Sequence, residues 1–519
     1  MVISRLARVL ARTAALIVLF CVVGYAQDSG QVLRVFVGYG TLKNTPSTMN
    51  KLSPEAKAEV DKLEAMARKA NGDGKYGEAL KHLYHAMALM RGAEWTPARA
   101  LNSGITVKLD RAMLDPGESE QIKFGQIYPL DEKINSKVTG SISLLKMRGE
   151  ESVKELKKLD SVDPDFIAHP FSGDLVMPDV EPGNYRIGIR LEIPGSDAVT
   201  KTVTVHIERG LAADFAAAKV RAAKLQTTLK SIHQDALLAS LPSAEYRISL
   251  FDLARAGEIN FDRMDFRETL KDTNAMLDSL SKGADPFAAR RGEFKKAYLS
   301  KVDNTLQPYE VFVPSNYDKS KSFPLIIALH GMGGDENSYF AAYAQGAFKL
   351  EAEKRGYIVA CPKGRKPASM YLGDAEKDVM DVLAEMRRDY NIDPDRIYMT
   401  GHSMGGYGTW SVAMSHPDVF AAIAPISGGS NTPAGMAKIA HIPQLVVHGD
   451  TDPTVPVERS RTMVAEGKKL GAEIKYIEVP GGDHGSVVAP NFPAVFEWFD
   501  THRRKSSEAK AGAAAAKSN

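Results

Sequence analysis

Residues 397–410 read I-Y-M-T-G-H-S-M-G-G-Y-G-T-W. A short apolar run, Ile397 to Met399, leads into Gly401-His402-Ser403-Met404-Gly405, the G-x-S-x-G spacing of a nucleophile elbow. The spacing has a steric cause. A serine on a sharp strand-to-helix turn needs residues without a Cβ two positions either side, because side chains there would collide with neighbouring strands. The expectation is a strand, then Ser403 standing clear at its end, then a helix. Tyr407 and Trp410, one helical turn apart, are expected to pack that helix, with Tyr407 also near enough to touch a substrate.

Working outward, the chain from about Gln307 alternates β and α patterns. Apolar, β-rich runs lie at Tyr309 to Val313, Leu325 to Leu329, Tyr357 to Cys361, Ile397 to Met399, Ala421 to Ile426, Leu445 to Val447 and Ile474 to Val479, with helical stretches such as Asp374 to Tyr390 between them. Near-continuous apolar strands separated by helices predict an α/β domain with a mainly parallel sheet covered on both faces. Reactive groups then belong at the carboxyl ends of the strands.

Three such ends carry matching chemistry. Ser403 is the candidate nucleophile, Asp452 follows a later strand in His448-Gly449-Asp450-Thr451-Asp452-Pro453, and His484 follows the last in Gly481-Gly482-Asp483-His484-Gly485. The order Ser, Asp, His is that of α/β-hydrolases. An unassisted serine is a poor nucleophile, so His484 is expected to take its proton and Asp452 to fix the imidazole tautomer. Asp450 is the rival acid, with bracing of its turn as its other role. His330, His402 and His448 read as loop-shaping residues. One oxyanion donor is expected from the backbone N–H of Met404, at the start of the elbow helix. The second is expected from His330-Gly331-Met332-Gly333-Gly334, with the Met332 N–H favoured. No His, Cys or carboxylate cluster has metal-ligand spacing, and no cofactor is expected.

The rest of the chain divides by period. Arg5, Arg8 and Arg12, an apolar run from Ala14 to Val23 and small residues at Gly24 and Ala26 predict a signal peptide over 1–26, with an uncleaved anchor as the alternative. Removal of the leader leaves Cys361 as the sole cysteine, so no internal disulfide can form, and export to a bacterial periplasm or exterior is expected. Residues 27–100 hold a helical hairpin: Ser53-Pro54 starts a stripe of Ala56, Val60, Leu63, Ala67 and Ala70, and a second follows at Tyr76, Leu80, Leu83, Met87 and Met90. It resembles one tetratricopeptide unit, and a lone unit cannot stack into a solenoid. Residues 101–209 switch to strand period, with Tyr185, Ile187, Ile189, Leu191 and Ile193 alternating before Pro194-Gly195, which predicts a small β-sandwich whose role is scaffold, with glycan binding as the alternative. Residues 210–300 read as a helical connector whose first helix ends at Pro242, 301–504 as the α/β domain, and 505–519 as a disordered tail.

Composition excludes some classes. The chain of 519 residues is 44% hydrophobic, enough for several cores, and Lys plus Arg (66) nearly balance Asp plus Glu (64), so no basic surface argues for nucleic acid. No stable membrane span is expected once the leader is gone, and oligomeric state is not legible.

Taken with L-H-G-M-G-G-D-E-N, Y-L-G-D-A-E-K-D-V-M and H-G-D-T-D-P-T-V-P, the elbow resembles that of the α/β-hydrolases that include feruloyl and acetylxylan esterases, polyhydroxybutyrate-depolymerase-like esterases and the catalytic domain of prolyl oligopeptidases. The resemblance covers about Gln307 to His502. It implies a triad of Ser403, Asp452 and His484, an oxyanion loop after His330-Gly331, and hydrolysis of bulky or cell-wall-type carboxylic esters through an acyl-enzyme, polymeric esters included. A prolyl oligopeptidase-type peptidase is the second reading, although the β region is too short for a propeller. A third makes the chain a non-enzymatic envelope protein that binds through its N-terminal domains, with the hydrolase-like domain as scaffold. Between Ser427 and Pro443 there is no room for a large cap, so an open cleft is expected.

Overall fold

The structure is a computed structural model that describes residues 29–504. The expected leader over 1–26 and tail over 505–519 lie outside the described residues. The chain divides into two compact units, one running to Ala216 and including Leu250–Arg267, the other made of Ala217–Ser249 and the chain from Glu268 onward.

In the first unit, the Ser53 hydroxyl accepts the Ala56 N–H at 3.2 Å, capping the helix Pro54–Gly72, and Pro54 sits in the first turn where no N–H is missed. The helix Tyr76–Met90 folds back on it. Val60, Leu63, Ala67 and Ala70 share one apolar cluster with Leu80, Leu83 and Met90. A third helix, Ser29–Lys43, adds Val32 and Tyr39 to that cluster. The hairpin stripe is therefore covered by a neighbouring helix, as apolar stripes require.

Eight strands follow: β1 (Ile105–Leu109), β2 (Met113–Leu114), β3 (Ser119–Gln126), β4 (Val138–Lys146), β5 (Ser152–Val162), β6 (Phe171–Val176), β7 (Gly183–Glu192) and β8 (Val199–Ile207). They form a three-stranded sheet, β1-β3-β6, and a five-stranded sheet, β2-β8-β7-β4-β5. The alternation in β7 buries Ile187, Ile189 and Leu191 against Ile122 and Phe124 of the other sheet, so one core serves both. Gly195, with φ 74°, makes the turn into β8.

The helical region differs from expectation in one respect. The first helix, Leu211–Ser231, stops well before Pro242, and Pro242 instead lies in the first turn of the helix Leu241–Arg255. A proline there costs no hydrogen bond and presets φ, so it starts a helix as readily as it ends one.

The second unit holds β9 (Gly292–Leu299), β10 (Leu306–Val313), β11 (Phe323–Leu329), β12 (Ile358–Pro362), β13 (Ile392–His402), β14 (Ala422–Ile426), β15 (Gln444–Gly449) and β16 (Ile474–Val479). They make one sheet in the order β16-β15-β14-β13-β11-β12-β10-β9. β9 and β10 run antiparallel at one edge, and the pairs from β12 to β16 are parallel. Every residue of β11, β14 and β15 is buried, which is why those strands read as unbroken apolar runs. Tyr398 of β13 stacks on Phe499 of the helix Phe492–Thr501, with ring centroids 4.6 Å apart. Free Cys361 is buried on β12.

β9 corrects the expected boundary at residue 301. Its sequence, G-E-F-K-K-A-Y-L, reads as solvated because of two lysines, yet Lys296 is buried against Asp389, and Lys295 pairs with Glu336 at 2.6 Å. The sheet of the second unit therefore begins inside the segment read as connector. Among the described residues no helix is long and apolar enough to cross a membrane.

Candidate active site

Parallel strands β13, β15 and β16 deliver their carboxyl ends to the same side of the sheet, and the three sequence-predicted groups follow those ends. Ser403 leaves β13 with φ 57° and ψ −117°, a conformation that side chains adopt only under strain, and its N–H is pinned to the Ile426 carbonyl at 2.9 Å. The flanking glycines are dictated by contact. A Cβ on Gly405 would lie 1.9 Å from the Leu329 carbonyl oxygen, and one on Gly401 would lie 2.2 Å from that of Gly405. The elbow helix, Met404–Ser415, is thus pressed onto β11, and Trp410 anchors it by donating from Nε1 to Gln444 Oε1 at 3.0 Å.

His484 bridges the serine and the acid. Its Nε2 is 2.8 Å from Ser403 Oγ, and its Nδ1 is 2.7 Å from Asp452 Oδ2. Asp452 is buried, and its Oδ1 accepts the N–H groups of Thr454 at 2.8 Å and Val455 at 2.9 Å. Burial pushes this carboxyl up, but the hydrogen bonds from His448, His484 and the Val455 N–H outweigh it and hold it well below the usual carboxylate range. An ionised carboxylate at Nδ1–H leaves Nε2 as the acceptor for the Ser403 hydroxyl proton, so the arrangement can generate an alkoxide-like nucleophile.

The other residues sort themselves by what they touch. Asp450 turns away and accepts the Gly481 N–H at 2.7 Å, bracing its turn. His330 donates from Nε2 to the Lys363 carbonyl at 2.7 Å, fixing the loop that follows β11. Fully buried His448 accepts from the Ser460 hydroxyl at 2.7 Å and donates from Nε2 to the Val455 carbonyl at 2.9 Å, with that same nitrogen 3.3 Å from Asp452 Oδ2. His402 donates from Nε2 to the His484 carbonyl at 2.8 Å and accepts at Nδ1 from the Tyr343 hydroxyl at 2.9 Å. These histidines do shape loops, and two of them do so by holding members of the Ser–His–Asp chain. Tyr343 and Ser460 have no signature in the sequence, because each is brought in by packing.

The loop His330 to Gly334 lies against the nucleophile: a Cβ on Gly331 would sit 3.4 Å from Ser403 Cβ. Gly333 donates its N–H to Pro367 at 3.0 Å and Gly334 to Gly331 at 3.1 Å. Among the described residues the Met332 N–H meets no backbone carbonyl outside regular elements, and the Met404 N–H, in the first turn of its helix, has no intrahelical acceptor.

The C-terminal part of the chain is similar to known proteins. The prolyl oligopeptidase family model matches residues 371–438. A bifunctional acetylxylan esterase/xylanase of Neocallimastix patriciarum is 34% identical over 147 residues, 27% of this chain and 21% of that protein. The Aspergillus oryzae protein named Probable feruloyl esterase C is 30% identical over 186 residues, covering 34% of this chain and 68% of that one. A solved ferulic acid esterase from Anaeromyces mucronatus aligns with 40% of this chain and 90% of its own, at 19% identity and a TM-score of 0.34. With an elbow, a Ser–His–Asp chain and a likeness to two thirds of an esterase's length, the chain belongs, through its C-terminal domain, to the α/β-hydrolase serine esterases.

Proposed function

We propose that the protein is an exported serine carboxylester hydrolase that acts through an acyl-enzyme on bulky or cell-wall-type carboxylic esters. The observation that carries the reading is the continuous chain Ser403 Oγ, His484, Asp452, with spacings of 2.8 and 2.7 Å. In the first step Ser403 Oγ attacks the ester carbonyl carbon and its proton passes to His484 Nε2. The imidazolium formed is stabilised by Asp452, and the oxyanion is held by the N–H groups of Met404 and Met332. Each such donor is worth about 3 kcal/mol in the transition state. His484 then protonates the departing alkoxide, and a water activated by the same nitrogen releases the acid.

Relatives named for feruloyl and acetylxylan esters support the substrate class, and the apolar stretch before Ala26 supports export. The match to the prolyl oligopeptidase family over 371–438 favours a second reading, cleavage of peptide bonds. The non-catalytic scaffold reading has against it both the assembled Ser–His–Asp chain and membership in an esterase family.

A fluorophosphonate probe tests the first reading. Label on Ser403, absent in Ser403→Ala, with turnover of feruloyl or acetyl esters, is expected. A folded protein that takes no label would sink it. Cleavage of a proline-containing chromogenic peptide at rates rivalling the esters would favour the peptidase instead.

A further inference from the structure

Tyr407 and Arg459 adjoin the Ser–His–Asp chain, and the chemistry above uses neither. Tyr407 stands four residues after Ser403 on the elbow helix, on the same face one turn along. Its ring is half-buried, and its hydroxyl makes no hydrogen bond with any described residue. Arg459 lies in the first turn of the helix Glu458–Lys469, which follows the Asp452 loop. It is exposed, and its guanidinium has no ion pair or hydrogen bond among the described residues. Nearby Arg461 differs: it is tied to Glu458 at 2.9 Å and Glu478 at 2.6 Å.

Gly429, in the loop after β14, brings the two together. A Cβ there would lie 2.8 Å from Arg459 Cβ and 3.0 Å from the Tyr407 hydroxyl oxygen. Burial raises the Tyr407 phenol, with the Arg459 guanidinium pulling it down and the Asp452 carboxylate pushing it up, so both charges act on that hydroxyl. At neutral pH the phenol is a donor. The negative charge of Asp452 is taken up by two histidines and two backbone N–H groups, and Asp483 and Asp450 are likewise engaged by backbone N–H groups. An unpartnered hydroxyl donor therefore stands one helical turn from Ser403, and the unpartnered Arg459 side chain leaves its own helix beside the same glycine that the hydroxyl approaches.

We propose that Arg459 and Tyr407 form a carboxylate-binding subsite, so that the preferred esters carry a carboxylate in their acid or their alcohol part. The guanidinium offers a planar pair of N–H donors that matches a carboxylate, and the phenol supplies a third donor. The inference rests on the reading that Ser403 attacks an ester.

The test compares isosteric pairs on the full chain. The 4-nitrophenyl half-ester of terephthalic acid is set against its carboxamide analogue, which varies charge in the acid part. The pair 4-acetoxybenzoate and 4-acetoxybenzamide varies it in the alcohol part. In one pair the charged ester should have kcat/KM about tenfold above its neutral partner, the scale of a charge-assisted hydrogen bond. That preference should collapse in Arg459→Met, weaken in Tyr407→Phe and shrink in about 0.5 M salt. The pair that shows it identifies which part of the ester bears the carboxylate. Equal rates within both pairs, or a preference that survives Arg459→Met, would overturn the subsite while leaving the esterase reading standing. Failure to turn over all four esters would overturn both.

Discussion

His402 Nε2 lies 2.8 Å from the carbonyl oxygen of His484, so the residue before Ser403 holds the backbone of the histidine that Ser403 touches. Tyr343 completes the strut, donating to His402 Nδ1 at 2.9 Å, while burial pushes its phenol up to about 12 against the pull of a hydrogen bond from the Gly331 backbone. The loop after β11, the elbow and the loop carrying His484 are thereby joined through two side chains. Positioning matters because a misplacement of about 1 Å at a reacting group can cost a hundredfold in rate.

Tyr343→Phe removes one arm of this strut and preserves the ring. The expected result is a fall in kcat of about tenfold with KM nearly unchanged, matching a buried acceptor left unpaired at about 1–3 kcal/mol. Steady-state kinetics on an aryl acetate, beside a thermal melt showing the fold retained, provides the check. A rise in KM alone would contradict a positioning role.

Ser403 has a measurable conformational cost. At φ 57° and ψ −117°, Ser403→Ala keeps the strain and Ser403→Gly relieves it. Both variants should lose hydrolytic activity. The glycine variant should unfold at higher urea than the alanine variant, by about 1 kcal/mol.

Gly405→Ala should be far more damaging than its size suggests. Its Cβ would meet the Leu329 carbonyl oxygen at 1.9 Å, a backbone atom that no rotamer change can move, so β11 and the elbow helix must separate. Loss of at least about 3 kcal/mol, or failure to accumulate folded protein, is expected. Gly485→Ala is the control, because the nearest atom to its Cβ is Asp483 Oδ1 at 3.9 Å.

Acid should weaken the protein through His402 before it reaches the carboxylates. Burial first, and then the His484 imidazole beside it, push His402 down to about 4 from an unfolded value of about 6.5. Between those values the unfolded chain binds a proton that the folded state refuses. The stability is therefore fully present above about pH 6.5 and is lost as pH falls towards 4. Asp452, held below the usual carboxylate range, adds a loss that begins below about pH 4. Unfolding free energies across pH 4–7 should slope in the native protein, and His402→Gln should flatten that slope.

Much of the site was legible because its demands are local. The elbow needs small residues at Gly401 and Gly405 whatever surrounds it, and the strand pattern around it announces a parallel sheet. Asp452 and Asp450, two residues apart on one loop, could not be told apart with the same security. One turns to His484 and the other to the Gly481 N–H, and only the loop's path decides which.

β9 escaped notice for a different reason. Charge is a proxy for exposure, and Lys295 and Lys296 defeat it because their ion partners, Glu336 and Asp389, come from distant segments. Tyr343 likewise has nothing local to mark it, standing 59 residues from the histidine it touches. By itself the sequence determined the fold of the C-terminal domain and the order in which the candidate serine, acid and histidine follow its strands, since turn sterics and strand periodicity act over a few residues. The choice of acid, the strut behind His484 and the pairing of Tyr407 with Arg459 were decided by tertiary structure alone, because each depends on which segments the folded sheet brings within about 3 Å of one another, the reach of a hydrogen bond or close contact.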